Sequence, residues 1–364
     1  MNTIIYEKLN PLVEAYLLLS KLMNDEGPSF QQENLQKLNM LKAEVLIKQL
    51  DLPVKIYALV KEKSSAHFER LTFFFKNWEN PNFSLASLLF VSTLDASFEE
   101  RLHFLQTCSP EERFNFLKEC MLCSIHEYLS PSTSLDPLNI ENEKELFDCI
   151  ESVKELSYEH KYHLLMLYYH FDSLLEELHS LLLETACMIE PFLDDMQGAS
   201  TAFIQNLKKE VAESDLSFLE QELNISVDST ELKIYPTFTG FNLLTLENFL
   251  GTGPFDHMFL GIYLLEIIRL KNESVMDEKN LVPFLKAIAD PSKLEILKLL
   301  KNEKLYSSQL AERLQISNAT ISHHVSTLLN LELVTFTKEQ TKIYFFLNKE
   351  KIQSYLSSLQ RVFE

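Results

Sequence analysis

Glycine is unusually scarce in this sequence. Its 364 residues include only six glycines, and Gly27 and Gly198 are the only two among the first 239 positions. P-loops and glycine-rich dinucleotide-binding turns both require clustered glycines, because the backbone must approach a phosphate closely. Turn-rich all-β architectures also depend on frequent glycine. The composition therefore excludes these two kinds of nucleotide-binding loop and argues against an all-β fold.

Cysteines and long apolar runs are also limited. The five cysteines show no disulfide-framework spacing, and their odd number indicates reduced thiols in a cytoplasmic protein. Residues 1–7 lack the basic and apolar regions of a signal peptide. The longest apolar-rich stretch, residues 83–94, contains three serines and is too short to span a bilayer. We therefore expect a cytoplasmic protein without a membrane segment.

Basic residues are outnumbered by acidic residues in the first three-quarters of the chain, but not in the last quarter. The formal net charge of the whole chain is −20. Residues 281–364 carry nine Lys and two Arg against eight acidic residues, a net charge of +3, so the preceding residues carry −23. An acidic body would repel a phosphate backbone, so only the C-terminal segment is suited to contact nucleic acid.

The first 222 residues have the apolar spacing and start signals of amphipathic helices. The segments Ser97 to Glu100 and Ser109 to Glu112 both match the capping box, in which a serine and a glutamate satisfy each other's backbone N–H groups. The pattern predicts helices near residues 11–24, 30–49, 53–63, 66–78, 84–95, 98–107, 110–129, 140–156, 158–190 and 200–222.

The character of the sequence changes after residue 223. Four of the six glycines lie between residues 240 and 261, and β-prone apolar residues follow one another from Leu232 to Leu244. This predicts a small β element of two or three strands. The polar run at residues 271–280 predicts a linker, which separates an acidic, mainly helical N-terminal domain (1–270), regulatory or for assembly, from a C-terminal domain (281–364).

The C-terminal domain has the order of elements found in winged helix-turn-helix proteins. Helices are predicted from Pro291, from Ser307 or Ser308, and from Asn318, with Ser317 as the N-cap of the third. Strands are predicted at residues 334–337 and 342–347, joined by a polar turn. We therefore expect a mainly α protein with an N-terminal multi-helix domain, a small β element and a C-terminal winged helix-turn-helix domain.

Three segments of this domain, in order, resemble the ArsR/SmtB family of bacterial repressors. The run from Phe284 to Leu297 is similar to the opening segment of that family, and the run from Ile316 to His324 is similar to its recognition helix. The wing segment aligns as well. The whole resembles long-form members with an extra N-terminal domain. The resemblance implies a homodimeric transcriptional regulator that reads a double-stranded DNA operator.

The recognition helix and the wing supply the candidate DNA contacts. Ile321, Val325 and Leu328 share the predicted buried face of the third helix, which leaves its other faces and its N-terminal end for the major groove. Asparagine can bond adenine bidentately, and Ser or Thr can bond a base or a phosphate. The predicted DNA-binding residues are Asn318, Thr320, Ser322 and His323 on the helix, with Lys338 and Lys342 on the wing as phosphate contacts.

The sequence departs from the family at its metal sites and at helix ends. Tyr306 and Ser308 stand where the family's metal-responsive members carry a Cys-x-Cys pair. The C-terminal helix, residues 349–363, lacks His, Asp and Cys and keeps an apolar face suited to dimerisation. We therefore expect no metal at these positions and no cofactor. Glu332 replaces the family's helix-ending glycine, which predicts a positive φ there at a cost of about 1 kcal/mol.

Several alternatives remain open from the sequence. Cys120, Cys123 and His126 share one helical face and could bind a soft metal, or could be ordinary core residues; the same holds for His160, His163 and His170. The N-terminal domain could sense an unknown effector. It could instead be a protein-interaction module scaffolded by the winged helix, or an enzyme fused to a DNA reader. No nucleophile–base signature supports an enzyme.

Overall fold

The computed structural model of this chain is mainly helical, with two small sheets, as predicted. It describes residues 2–24, 27–36, 41–78, 83–125, 140–154, 156–214, 216–223, 225–226, 230–247, 255–274, 278–339 and 342–363. None of the described helices combines the length and the apolar composition needed to cross a membrane.

The N-terminal part of the chain begins with a strand and continues as a series of helices. After β1 (Asn2–Ile5) come α1 (Pro11–Asn24), α2 (Gly27–Gln36), α3 (Leu41–Gln49), α4 (Asp51–Lys63), α5 (Phe68–Phe75), α6 (Leu85–Val91), α7 (Phe98–Thr107), α8 (Pro110–Ile125), α9 (Glu143–Ser152), α10 (Tyr158–Ile189), α11 (Leu193–Ser214) and α12 (Ser217–Leu223). The capping box at Ser97 is confirmed, since Ser97 Oγ accepts from Glu100 N and Glu100 Oε2 accepts from Ser97 N at 2.8 Å.

The long helix α10 is the centre of the N-terminal core. Leu164, Leu167, Phe171 and Leu175 are fully buried along one side of it, in a cluster shared with α1 and α6. This spacing of three and four residues is the apolar stripe of an amphipathic helix. The N-terminal bundle therefore packs around a single long helix.

The N-terminal part also contains a four-stranded sheet, most of which follows α12 in the chain. The strands β3 (Glu231–Thr237), β4 (Leu244–Glu247) and β5 (His257–Gly261) lie where the sequence predicts a β element. Their order is β1-β3-β5-β4, with β1 and β5 parallel to β3 and β4 antiparallel to β5. The fourth strand, β1, comes from the N-terminus of the chain and was not predicted.

The two faces of this sheet pack against different helices. Phe259 and Tyr235 belong to the bundle core, whereas Ile234, Met258 and Leu260 belong to a second core shared with α11 and α12. Successive side chains of a strand point to opposite faces, so each strand serves both cores. The sheet is therefore the layer between the helical bundle and helices α11 and α12.

A buried carboxylate joins α1 to the end of β3. Glu14 is fully buried; its side chain accepts from the backbone N–H of Phe238 at 2.9 Å and of Thr239 at 2.7 Å, and from the Thr239 hydroxyl at 2.6 Å. Burial raises the pKa of Glu14, while these hydrogen bonds oppose the rise. The carboxylate is thus the acceptor for a loop whose donors have no access to water.

The chain continues into the C-terminal domain through helices. These are α13 (Leu264–Ser274), α14 (Glu278–Ala289), α15 (Pro291–Leu300), α16 (Ser307–Leu314), α17 (Asn318–Asn330) and α18 (Lys349–Phe363), with strands β6 (Val334–Glu339) and β7 (Lys342–Leu347) between α17 and α18. The predicted linker at 271–280 contains the end of α13 and the start of α14, and residues 275–277 lie outside the described part. The division into domains stays a prediction.

The C-terminal domain has a core of its own. Ile321, Val325 and Leu328 of α17 are buried in it, as their spacing predicts. Phe284 of α14 stacks on Tyr355 of α18, with ring centres 4.6 Å apart and planes at 3°. The winged helix-turn-helix architecture is confirmed.

One strand links the two parts. Residues Ile225 and Ser226 form β2, which pairs in parallel with Phe336 and Thr337 of β6. The wing is therefore a three-stranded sheet, β2-β6-β7, whose outer strand belongs to the N-terminal part of the chain.

We expect Glu14→Ala to lower the free energy of unfolding by roughly 3 kcal/mol, because it leaves the buried N–H groups of Phe238 and Thr239 without their acceptor, whereas the Thr239 hydroxyl keeps the Glu14 backbone oxygen at 2.8 Å. Glu14→Gln should cost less, since its amide oxygen still accepts. Chemical denaturation would measure both, with the exposed Glu44→Ala on α3 as the control. Equal stability of Glu14→Ala and Glu44→Ala would contradict this role of the carboxylate.

Candidate nucleic-acid interface

Local signals in the sequence fix the helix-turn-helix. Asp290 caps α15 by accepting from Lys293 N at 3.0 Å, and Ser317 caps α17 by accepting from Thr320 N at 3.1 Å. Between α16 and α17, Gln315 adopts the left-handed conformation with φ of 54°. The caps and this turn set where the recognition helix α17 begins.

The structure places three of the four predicted helix contacts at or near the surface. Thr320 and His323 are exposed, and Ser322 is half-buried. The Thr320 hydroxyl lies 2.8 Å from the Ser317 hydroxyl, so its orientation is fixed by the N-cap. These three side chains can offer donors and acceptors to a base edge or a phosphate.

Asn318 differs from the other three. Only 7% of it is exposed, and its Oδ1 is a buried acceptor without a hydrogen-bond partner among the described residues. A buried acceptor without a donor costs free energy. Contact between Asn318 and a base therefore requires the side chain to turn outward from this position.

The two wing lysines both lie over aromatic rings. Lys342 Nζ is 4.1 Å from the ring centre of Tyr306, within its own domain. Lys338 Nζ is 4.4 Å from the ring centre of Phe255, which precedes β5 in the N-terminal part. Both distances allow a cation–π interaction. The two lysines therefore differ in their contacts. Lys338 lies on a ring of the N-terminal part, whereas Lys342 lies on a ring of the C-terminal domain.

The N-terminal part of the chain, called the body below, contacts the wing at more than one point. Ile225 is buried, and Phe336 of β6 packs against the apolar cluster that contains Ile225 and Leu219. Glu247 on β4 lies near enough to Lys338 for the lysine to lower its pKa, although desolvation is the larger effect and raises the pKa to about 7. Sequence reasoning missed this junction, because a two-residue strand leaves no periodic signal.

The left-handed residue predicted after the recognition helix is present. Glu332 has a φ of 56°, and Lys351 Nζ lies 2.6 Å from its Oε2. This ion pair ties the end of α17 to α18.

The candidate metal ligands of the N-terminal part are mostly buried. Burial raises the pKa of the Cys120 thiol, which disfavours the thiolate that a soft metal needs. Cys123 is half-buried, and His126 lies outside the described residues. Desolvation lowers the pKa of His160 to about 4 and also lowers that of His163. Both imidazoles lie against Trp78, while His170 marks a kink in α10.

Among the described residues, three ligand atoms come close enough together to hold an ion. Atoms of Asp95, Asp256 and His257 lie within 4.8 Å of one another. His257 is fully buried, and its Nδ1 is 2.8 Å from Asp256 Oδ1. Lys233 Nζ, however, is 2.6 Å from Asp95 Oδ1. The ammonium group already supplies positive charge where a metal ion would have to sit.

Comparisons with known proteins agree with the helix-turn-helix geometry. Residues 290–335 match the family described as "Bacterial regulatory protein, arsR family". The chain is 44% identical over 75 residues to the arsenical resistance operon repressor of Staphylococcus xylosus, which covers 21% of this chain and 72% of that protein. This chain belongs to the arsR family of bacterial regulatory proteins.

Two further known proteins are similar to part of this arsR-family protein. The transcriptional repressor SdpR of Bacillus subtilis is 35% identical over 72 residues, which covers 20% of this chain and 80% of that one. The crystal structure of NolR from Sinorhizobium fredii covers 25% of this chain and 89% of its own, at 27% identity and a TM-score of 0.21.

The raised pKa of Glu247 predicts that the stability of this arsR-family protein depends on pH. The folded state disfavours ionised Glu247, whereas the unfolded chain ionises it at its ordinary pKa, near 4.5. As the pH rises from about 5 to 8, the folded state therefore loses stability at this residue, on the order of 3 kcal/mol at most. Among the described residues, Lys338 and Tyr16 act on the charge of Glu247, and Cys120 and Cys123 line a small cavity together with it.

We expect Glu247→Gln to remove this contribution, so the variant should gain stability over the natural protein as the pH rises. Thermal melts at several pH values would measure the difference. Glu213→Gln, an exposed change on α11, is the control. A difference between Glu247→Gln and the natural protein that is constant with pH would show that Glu247 is ionised normally.

Proposed function

We propose that this protein is a cytoplasmic, DNA-binding transcriptional regulator that reads an operator in double-stranded DNA. The observation that carries the proposal is the capped recognition helix, which presents Thr320, Ser322 and His323 beside a buried apolar face. The family match at residues 290–335 contains this helix, and two relatives of the chain are named as repressors. The proposed DNA-binding set remains Asn318, Thr320, Ser322, His323, Lys338 and Lys342.

A homodimer is part of this proposal. On α14, Val282 is 50% exposed and Leu285 is 37% exposed, and on α18 Leu356 is 44% exposed. All three lie on the helices joined by the Phe284–Tyr355 stack. Exposed apolar side chains on adjoining helices favour association with a second copy, which would bring two recognition helices to one operator.

The N-terminal part is proposed to set the state of the DNA reader rather than to catalyse a reaction or hold a cofactor. Its contact with the wing through β2 and Phe255 supports this regulatory role. The same contact favours one alternative, in which the winged helix is a scaffold for an interaction module. Operator binding by the full chain would decide between them.

We expect the full-length chain to select a palindromic site from genomic fragments, with half-sites about one helical turn apart. Asn318→Ala or His323→Ala should relax base preference at a cost of about 1–3 kcal/mol. Lys338→Ala or Lys342→Ala should weaken all sites equally and lower the salt slope by about 1. Fluorescence anisotropy at several salt concentrations would measure both effects.

The control for the loss of one positive charge is Lys144→Ala, an exposed lysine on α9. It should leave the affinity and the salt slope close to those of the natural protein. If the helix and wing variants behave like Lys144→Ala, this docking arrangement is wrong.

We also propose that the regulator does not respond to metals through Tyr306 and Ser308, the positions where the family resemblance implies a Cys-x-Cys pair in metal-responsive members. Tyr306 and Ser308 supply no thiolate, and Tyr306 is buried beneath Lys342. Micromolar arsenite, cadmium or zinc should therefore leave the protein on its DNA, as anisotropy would show.

Release of the reduced, folded protein by any of these metals would contradict that expectation. Cys120→Ser and Cys123→Ser would then show whether α8 is responsible.

A further inference from the structure

A cleft opens between helices α11, α12 and α13, with Gln49 at the end of α3 also lining it. Its volume is about 420 Å³, which is enough for a small organic molecule. The side chains that matter here are Phe203, Glu210, Phe218, Tyr263, Glu266 and Arg269. The cleft is separate from the recognition helix, since no residue of α17 lines it.

The walls of the cleft are rich in aromatic rings. Phe203 from α11 and Phe218 from α12 are half-buried, and Tyr263, which precedes α13, is buried. Aromatic side chains contribute a large apolar area, and their ring faces also attract cations. An occupant would therefore gain from apolar groups and from positive charge.

The cleft is lined by more acidic than basic side chains. Glu210 and Glu266 both line it and both act on the charge of Arg269, the basic residue beside them, so two carboxylates face one guanidinium. The Arg269 guanidinium is already bound by Glu222, with Nε donating to both carboxylate oxygens at 3.0 Å. Desolvation raises the pKa of Glu266, with Arg269 opposing the rise. A cation in the cleft would offset the burial of this carboxylate, whereas an anion would add to the repulsion.

We propose that this cleft binds an organic cation that carries apolar or aromatic groups, and that such a cation is the effector of the regulator. The assignment as effector rests on the proposed function, whereas the binding site itself does not. The combination of aromatic walls with two carboxylates is the chemistry that recognises this class of ligand.

The route from the cleft to the wing is short. Helix α12 lines the cleft through Phe218 and holds Arg269 through Glu222. Helix α12 ends at Leu223. Strand β2, which pairs with β6 of the wing, begins at Ile225. A ligand that binds one position of α12 more tightly than another would therefore bias the position of the wing strand.

The test uses the full-length protein and two probes of the same shape and opposite charge, tetraphenylphosphonium and tetraphenylborate. Isothermal titration calorimetry should show binding of the phosphonium, with the borate at least about tenfold weaker, as expected when a single charge contact is worth about 1.4 kcal/mol or more. Equal binding of the two probes, or no binding of the phosphonium, would overturn the site.

Variants of the carboxylates locate the binding. Glu266→Gln should weaken phosphonium binding about tenfold, and Glu266→Asp should retain most of the affinity because it keeps the charge. Glu213→Gln, on the same helix as Glu210 but outside the cleft, is the matched control. Unchanged affinity in both Glu266→Gln and Glu210→Gln would also overturn the site. Circular dichroism of each variant would confirm that it is folded.

The effector assignment has its own measurement. Operator affinity with saturating phosphonium should differ several-fold from the affinity without it. A cation that binds the cleft but leaves operator affinity unchanged would overturn the effector assignment. If the protein binds the cation but no operator, the proposed function fails and the site stands. If it binds an operator but no cation, the site fails and the proposed function stands.

Discussion

The pairing of β2 with β6 is the interaction on which the arrangement of this protein depends. Two residues of the N-terminal part, Ile225 and Ser226, complete a sheet whose other strands form the wing. Phe336 adds an apolar contact on the same strand, and Lys338 places its charge over Phe255. The wing can therefore change position only by moving β2 with it or by breaking this pairing. The acidic body is thereby coupled to a domain of opposite charge.

This coupling divides the proposed DNA-binding surface into two parts. The recognition helix is positioned by its own caps and by the core of the C-terminal domain, so the exposure of His323 and Thr320 does not involve the body. The wing is different, since Lys338 is held by a ring of the body and lies near Glu247. In the proposed binding mode the N-terminal part therefore acts on the phosphate contact of Lys338 and not on the base contacts of α17, and base contacts specify the sequence whereas phosphate contacts position the protein.

The sequence predicts the elements of the C-terminal domain from Pro291 onward almost to the residue, since their signals are local, whereas α14 was not predicted and begins inside the expected linker. Ser317 and Asp290 cap helices by reaching three residues ahead, and the buried triad of α17 is one helical stripe. Strands β1 and β2 were missed because each depends on a distant partner: Asn2 pairs with Glu231, and Ile225 pairs with Phe336. A four-residue or two-residue strand carries too little pattern to reveal such a partner. The burial of Asn318 and the contact of Lys338 with Phe255 depend on tertiary packing in the same way.

The scarcity of glycine has a physical consequence at the helix-turn-helix. Gln315 and Glu332 adopt positive φ at the ends of α16 and α17, where glycine would avoid a cost of roughly 1 kcal/mol at each. The Glu332 position is supported by its ion pair with Lys351 of α18. The Gln315 turn is held by Ile316 N, which donates to Ala311 O at 3.2 Å, and by Leu310 and Ile321, which are buried on either side of the turn. Packing, rather than backbone freedom, therefore fixes the angle between the two helices, so the recognition helix is positioned by its own core, whereas the wing is also paired with β2 of the N-terminal part.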